Sequence, residues 1–96
     1  MNYKVDITSK AENDISKIYE YIFSVLKNGS AAYIFQLTIF SKIHSLETMP
    51  SRYPILEGSN SNIRKMQCLN YIVLFVIIES KVLILRVFHS STNYMK

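Results

Sequence analysis

The sequence predicts an α+β domain of two layers, a helical hairpin packed on a largely antiparallel sheet, in the order β-α-α-β-β-β. Three observations carry that expectation. Apolar residues alternate with polar ones over the first eight positions, recur every three or four positions from residue 9 to residue 48, and run almost unbroken from residue 71 to residue 88. Those changes of period mark strand, then helix, then strand. The two helical segments are joined by a short connection, so they pack as an antiparallel pair that covers one face of a sheet. Finally, 96 residues that are 49% hydrophobic, with two Gly and two Pro, suffice for one packed core and leave no room for a second. Residues 1–96 therefore form a single domain.

The first strand is "YKVDIT", with Tyr3, Val5 and Ile7 on one face and Lys4, Asp6 and Thr8 on the other. Ser9 stands at an N-cap position with Glu12 three residues later, the reciprocal capping pattern that opens a helix. Its apolar stripe is Ala11, Ile15, Ile18, Ile22 and Leu26, which leaves Lys10, Asp14, Lys17 and Glu20 to face water. "KNGS" ends it, with Gly29 suited to a left-handed C-terminal cap and Ser30 to capping the next helix. The second helix, from about Ala31 to Thr48, carries the stripe Ala32, Phe35, Ile39, Ile43 and Leu46. Ile34, Leu37 and Phe40 lie off that stripe, so this helix meets more than one neighbour, in the chain or outside it. Pro50 and Pro54 bracket a loop rich in Gly, Ser and Asn. A strand over "IRKMQC" then leads into the hairpin "NYIVLFVIIESKVLILRVFH", whose turn falls near Glu79 and Ser80.

That hairpin does not alternate. Tyr71 to Ile78 is apolar throughout and Val82 to Phe88 is broken only by Arg86, so both of its faces call for cover. A helical pair shields one. The other is left for strand twist, side-chain stems and the tail to hide, or for a partner.

A net charge of +4 favours an acidic or polyanionic partner. The lone Cys68 has no second cysteine to pair with and reads as a buried, inert thiol. No signal-peptide core and no apolar run near the roughly 20 residues of a membrane span is present, so the expectation is a cytoplasmic protein with no membrane association. His44 lies among Lys42 and Ser45, and with His89 as the only other histidine no metal site or cofactor is implied.

Four strings, "SKAENDISKIYEYI", "LETMPSRYPILEG", "IRKMQCLNYIVLFVI" and "VLILRVFHSSTNYM", resemble in order and spacing the toxins of the RelE/ParE superfamily of bacterial type II toxin–antitoxin modules. The resemblance covers nearly the whole chain. It implies a RelE-like fold, a growth-inhibiting activity, and a hetero-oligomer with a cognate antitoxin whose partly disordered segment folds around the toxin and dresses the surplus apolar surface. It also implies one of two targets. RelE-like toxins cut mRNA on the ribosome by helping a ribose 2′-hydroxyl attack the adjacent phosphate, which requires a base, an acid and cations where charge builds up. ParE-like toxins inhibit DNA gyrase by binding. An inert relative kept only to bind its antitoxin is a third reading.

Here the chain departs from the ribonuclease pattern. Tyr71 is followed by Ile72 where RelE-like toxins commonly carry arginine, and the turn His89, Ser90, Ser91, Thr92 has no cation. The two missing charges favour the gyrase inhibitor. Should the chain be a ribonuclease, His89 is the candidate base, Tyr94 the acid and Arg64 a cation; the alternatives are a strand-end histidine bonded to backbone and a packing aromatic. For partner or nucleic-acid binding the candidates are Arg64, Lys65, Arg86 and His89. Arg64 and Lys65, adjacent on a strand, point to opposite faces. Arg86 shares a face with Val82, Ile84 and Phe88 if alternation holds, which places it against a partner's carboxylate or nucleic acid, or else against an internal acid such as Glu79 or Glu57.

Overall fold

In the computed structural model, which describes residues 2–58 and 62–92, the first alternating segment forms strand β1, Lys4–Ile7. Val5 and Ile7 pack against the main core, while Asp6 turns to the other face and meets Lys81 at 3.5 Å. Helix α1, Ser9–Glu20, is capped by Thr8 rather than Ser9. The Thr8 hydroxyl accepts the Ala11 N–H at 3.3 Å and donates to the Ile84 carbonyl at 2.7 Å, so one side chain both starts the helix and ties it to the sheet. Glu12 only adds negative charge to the first turn.

The helix connection also departs from expectation. After α1 the chain passes through a π-helical turn, Tyr21–Val25, and it is Lys27 that takes the left-handed conformation, at φ 52°. Asn28, not Ser30, caps α2, Gly29–His44, its side-chain oxygen accepting the Ala31 N–H at 3.0 Å. Gly29 serves another need: a Cβ there would stand 3.3 Å from the Phe23 ring. The stripe Ala32, Phe35, Ile39, Ile43 and Leu46 is buried as the sequence predicts, Leu46 from a short 3-10 turn, Ser45–Glu47, that extends the helix.

Strands β2, Arg64–Cys68, β3, Tyr71–Ile78, and β4, Lys81–His89, form a meander, and β1 adds to it beside β4, giving the order β1-β4-β3-β2. The meander is antiparallel and β1 runs parallel to β4, so the sheet is mixed. Glu79, at φ 55°, makes the expected turn with Ser80. Met66, Val73, Phe75, Val82, Ile84 and Val87 meet the helical stripes in the main core.

One irregularity resets β4. Leu74 pairs with Arg86 but Phe75 pairs with Ile84, so Leu85 is an extra residue in a β-bulge. Val82 and Ile84 face the helices, and after the bulge so does Val87. Arg86 therefore does not share a face with Val82 and Ile84, as simple alternation requires; it falls on the other face with Phe88.

That second face is partly covered by the chain itself. Leu56, Ile72 and Leu74 make a small second core with Ile63 and Phe88. The loop is stitched down for this by Leu56 N–H to the Ile63 carbonyl at 2.7 Å and Lys65 N–H to the Pro54 carbonyl at 3.1 Å. Further along, Val76, Leu83 and Leu85 are half-buried and Ile78 is exposed. The barest apolar surface is on the helices, where Phe23, Val25, Leu26, Tyr33, Ile34 and Leu37 are each more than half exposed.

Candidate functional site

Where β3 begins and β4 ends, Tyr71 and His89 are cross-strand partners, with their rings edge-on at 5.5 Å. Facing them, α1 and the turn after it contribute Lys17, Ile18 and Tyr21, and these five residues line an open cleft of about 440 Å³. Tyr71 is held from behind by Phe35, ring to ring at 4.9 Å. Burial pushes its phenol above the usual 10.0, so it stays protonated and able to donate. The Nδ1 of His89 accepts the Ser91 backbone N–H at 3.2 Å and lies 2.7 Å from the Ser91 hydroxyl. A backbone donor on Nδ1 requires a lone pair there, which leaves the proton of neutral His89 on Nε2. His89 thus enters the cleft as a donor, and it serves as a base only if the turn releases it.

Lys17 is the cation that the sequence reading missed. Lys17 is exposed, as its place on the water face of α1 predicts, and it stands beside Ile18 and four residues before Tyr21, so a basic and an aromatic side chain share one edge of the helix. That spacing was the available signal. With two rings, one cation, a histidine and no acid in its lining, the cleft suits an apolar or aromatic anchor that carries negative charge nearby.

The other sequence candidates lie elsewhere. Arg64 sits opposite Phe75, four residues along β2 from the Cys68–Tyr71 pair (68 − 64), and its guanidinium donates to the carbonyls of Tyr53 at 2.6 Å and Ser51 at 3.3 Å. It anchors the loop. Lys65 pairs with Leu74, on the opposite face as expected. Tyr94 falls outside the described residues.

Arg86 meets neither Glu79 nor Glu57 but Asp14, which it grips with two hydrogen bonds at 2.8 and 3.1 Å. Asp14 was expected to face water; instead its side chain is 13% exposed, and it also accepts the Val87 backbone N–H at 2.9 Å. The cause is the short first strand. β1 ends its pairing at Ile84, so the edge of β4 beyond it has no strand neighbour, and Thr8 and Asp14 satisfy that edge with side chains. The hydrogen bond to Asp14, helped by its charge and opposed by burial, holds the Arg86 guanidinium above its ordinary pKa. The guanidinium also lies over the Phe88 ring at 4.7 Å.

Between α1 and α2 runs a wider groove of about 770 Å³, with Glu12, Asn13, Ser16, Glu20 and Gln36 in its walls. Its two carboxylates make it unsuited to phosphate. Among the described residues no three His, Cys, Asp or Glu side chains come together as a metal site, and no helix is long and apolar enough to cross a membrane. Cys68 is buried, and its burial pushes the thiol above its ordinary 9.0 against the opposing pull of Lys42.

The family described as the ParE toxin of the type II toxin–antitoxin system parDE matches residues 5–94. Among solved structures, the chain is similar to a chromosomal ParDE toxin–antitoxin system from P. aeruginosa, at 18% identity and a TM-score of 0.78, covering 91% of this chain and 95% of that one. It is also similar to a RelBE toxin–antitoxin complex from Mycobacterium tuberculosis, at 22% identity and a TM-score of 0.68, over 93% and 99% of the two chains. A conserved hypothetical protein from Helicobacter pylori, solved in solution, shares 12% identity at a TM-score of 0.61 over 98% and 100%. At such identities these likenesses establish the fold, the two-layer α+β architecture of RelE/ParE-like toxins. No curated protein matched the sequence.

Proposed function

We propose that this chain, which belongs to the ParE toxin family of type II toxin–antitoxin systems, arrests growth by binding DNA gyrase in the cytoplasm and is held inactive by a cognate antitoxin. The observation that carries the choice of target is where the cations are spent. Cleavage at a ribose 2′-hydroxyl needs a base, an acid and unengaged positive charge around one phosphate. Arg64 is committed to two backbone carbonyls and Arg86 to Asp14, which leaves Lys17 as the one lysine or arginine in the lining of the cleft, where a developing phosphorane dianion calls for several. His89 has its Nδ1 lone pair occupied. A binding toxin needs only a shaped surface, and the Lys17–Tyr21–Tyr71–His89 cleft offers one.

The antitoxin follows from the family and from the named assemblies of two structural relatives, which are toxin–antitoxin systems. The half-covered second face of the sheet, with Val76, Leu83 and Ile78, is a seat for its apolar segment.

Expression from an inducible promoter without the antitoxin should stop growth, and co-expression should restore it. Purified protein should block gyrase supercoiling at micromolar concentration while mRNA mapped after induction shows no new 5′ ends. Discrete 5′ ends inside translated codons, with supercoiling untouched, would replace this reading with ribosome-dependent mRNA cleavage run on Lys17 and His89. A harmless chain would leave an inert antitoxin-binding relative.

A further inference from the structure

We propose that the cleft between α1 and the ends of β3 and β4 takes an acidic, aromatic segment of the protein this chain inhibits: a phenylalanine, tyrosine or tryptophan seated on its rings, with a neighbouring aspartate or glutamate held by its donors. The inference rests on the reading of this cleft as the target-binding surface and adds what the target must present.

The lining carries donors that nothing else engages. The Lys17 ammonium has no ion-pair partner among the described residues. The Tyr71 hydroxyl has no hydrogen-bond partner among them, although Phe35 holds its ring in place. His89 spends its Nδ1 on Ser91, which leaves the Nε2–H. The nearest acids along α1 are occupied or turned away. Asp14, three residues before Lys17, is gripped by Arg86 and the Val87 N–H, and Glu20, three residues after it, lines the other groove. What these donors lack is an acceptor, and a carboxylate is acceptor only, with two oxygens to share among them.

The remaining wall is apolar. Ile18 and the rings of Tyr21, Tyr71 and His89 form it, and an aromatic anchor packs on such rings edge to face. At about 440 Å³ the space has room for about one or two side chains rather than for a helix. Two other occupants match it less well. A basic anchor gains from the rings but stands beside Lys17 with no acid in the lining to offset the repulsion. A nucleotide brings a ring and a negative charge, yet its phosphates call for several cations where the lining has one lysine, and the N–H groups of its base edges find few acceptors.

Acetylated and amidated peptides, which have no free carboxyl end, separate the two parts of the ligand. Added to the purified full chain, a peptide carrying Glu-Phe between glycines should bind with a Kd on the order of 100 µM to 1 mM and shift the amide resonances of Lys17, Ile18, Tyr21, Tyr71 and His89. Peptides with Gln-Phe and with Glu-Ala should each bind about tenfold more weakly. Lys17→Ala, at an exposed position, should bring Glu-Phe down to the level of Gln-Phe and leave Gln-Phe unchanged, and Tyr71→Phe, which keeps the ring, should weaken Glu-Phe by about threefold.

A supercoiling assay then tells the ligand from its source. Excess Glu-Phe peptide should relieve the block on gyrase. Supercoiling that stays blocked with the peptide bound, or a Glu-Phe peptide that binds no better than Gln-Phe, overturns the proposal and leaves gyrase inhibition standing. A peptide bound in the cleft of a chain that never affects supercoiling upholds the ligand and removes gyrase as its source. A single-stranded oligonucleotide that shifts the same resonances more strongly than the peptide gives the cleft to nucleic acid and overturns the proposal.

Discussion

Asp14 receives three donors, two from Arg86 and one from the Val87 backbone, at a side chain that is 13% exposed. Removing it strands a guanidinium and an N–H at once. Asp14→Ala should therefore lower the unfolding free energy by about 2 kcal/mol in urea denaturation, and Asp14→Asn, which keeps an acceptor for Val87, by about half of that. The pair was only half legible in the sequence. An internal acid for Arg86 was foreseen, but Asp14 reads as a solvent residue because it borders the apolar stripe of α1 rather than sitting in it; only the missing strand neighbour of β4 draws it inward. A second residue-level consequence concerns alkaline pH. Burial raises the pKa of the Cys68 thiol and the Tyr71 phenol, so each loses its proton at lower pH in the unfolded chain than in the folded one. Their contribution is fully present below pH 9.0 and is lost as pH climbs through the folded values, beginning with the thiol and then, above 10.0, the phenol. Cys68→Ala, less stable at neutral pH, should show a shallower decline of unfolding free energy above that point.

At the level of elements, the helical stripes were legible where the 3.6-residue period runs unbroken: Ala11, Ile15, Ile22, Ala32, Phe35, Ile39, Ile43 and Leu46 are buried and Ile18 is half-buried. Leu26, expected in the same stripe, is 56% exposed, because the π-helical turn Tyr21–Val25 breaks the period before it. The junctions were not legible. Gly29 seemed the natural left-handed residue, but the Phe23 ring takes the space beside it, and the turn was shifted to Lys27 and Asn28. Lys27→Gly, freed of the side-chain strain at φ 52°, should therefore stabilise the fold by about 0.5–1 kcal/mol, and Asn28→Ala should destabilise it by about 1 kcal/mol, both read from denaturation midpoints. The bulge at Leu85 was equally invisible, since an apolar run without alternation offers no phase to break.

At the level of the whole molecule, the two-layer architecture and the toxin family were legible, since order, spacing and composition suffice for both. The surplus apolar surface was anticipated too, but on the wrong layer: the Leu56 and Ile63 loop covers part of the sheet, and the helical hairpin is the barer surface. The candidate site was legible only at His89, because Lys17 and Tyr21 join it through a tertiary meeting of α1 with the strand ends. A chain with Lys17→Ala and His89→Ala should fold normally, as both positions lie outside the core, and should need roughly tenfold more protein to block supercoiling. Equal potency in that assay would remove the cleft from the mechanism.

The pairing of β1 with β4 joins residues 4–7 to residues 81–84. Synthesis is vectorial, so the opening strand waits until residue 84 has left the ribosome before its neighbour exists. Until then the helical pair has no finished platform beneath it, and the cleft, which needs the last residues of β4, is absent. Any task that falls to the cleft therefore begins only after His89 has emerged.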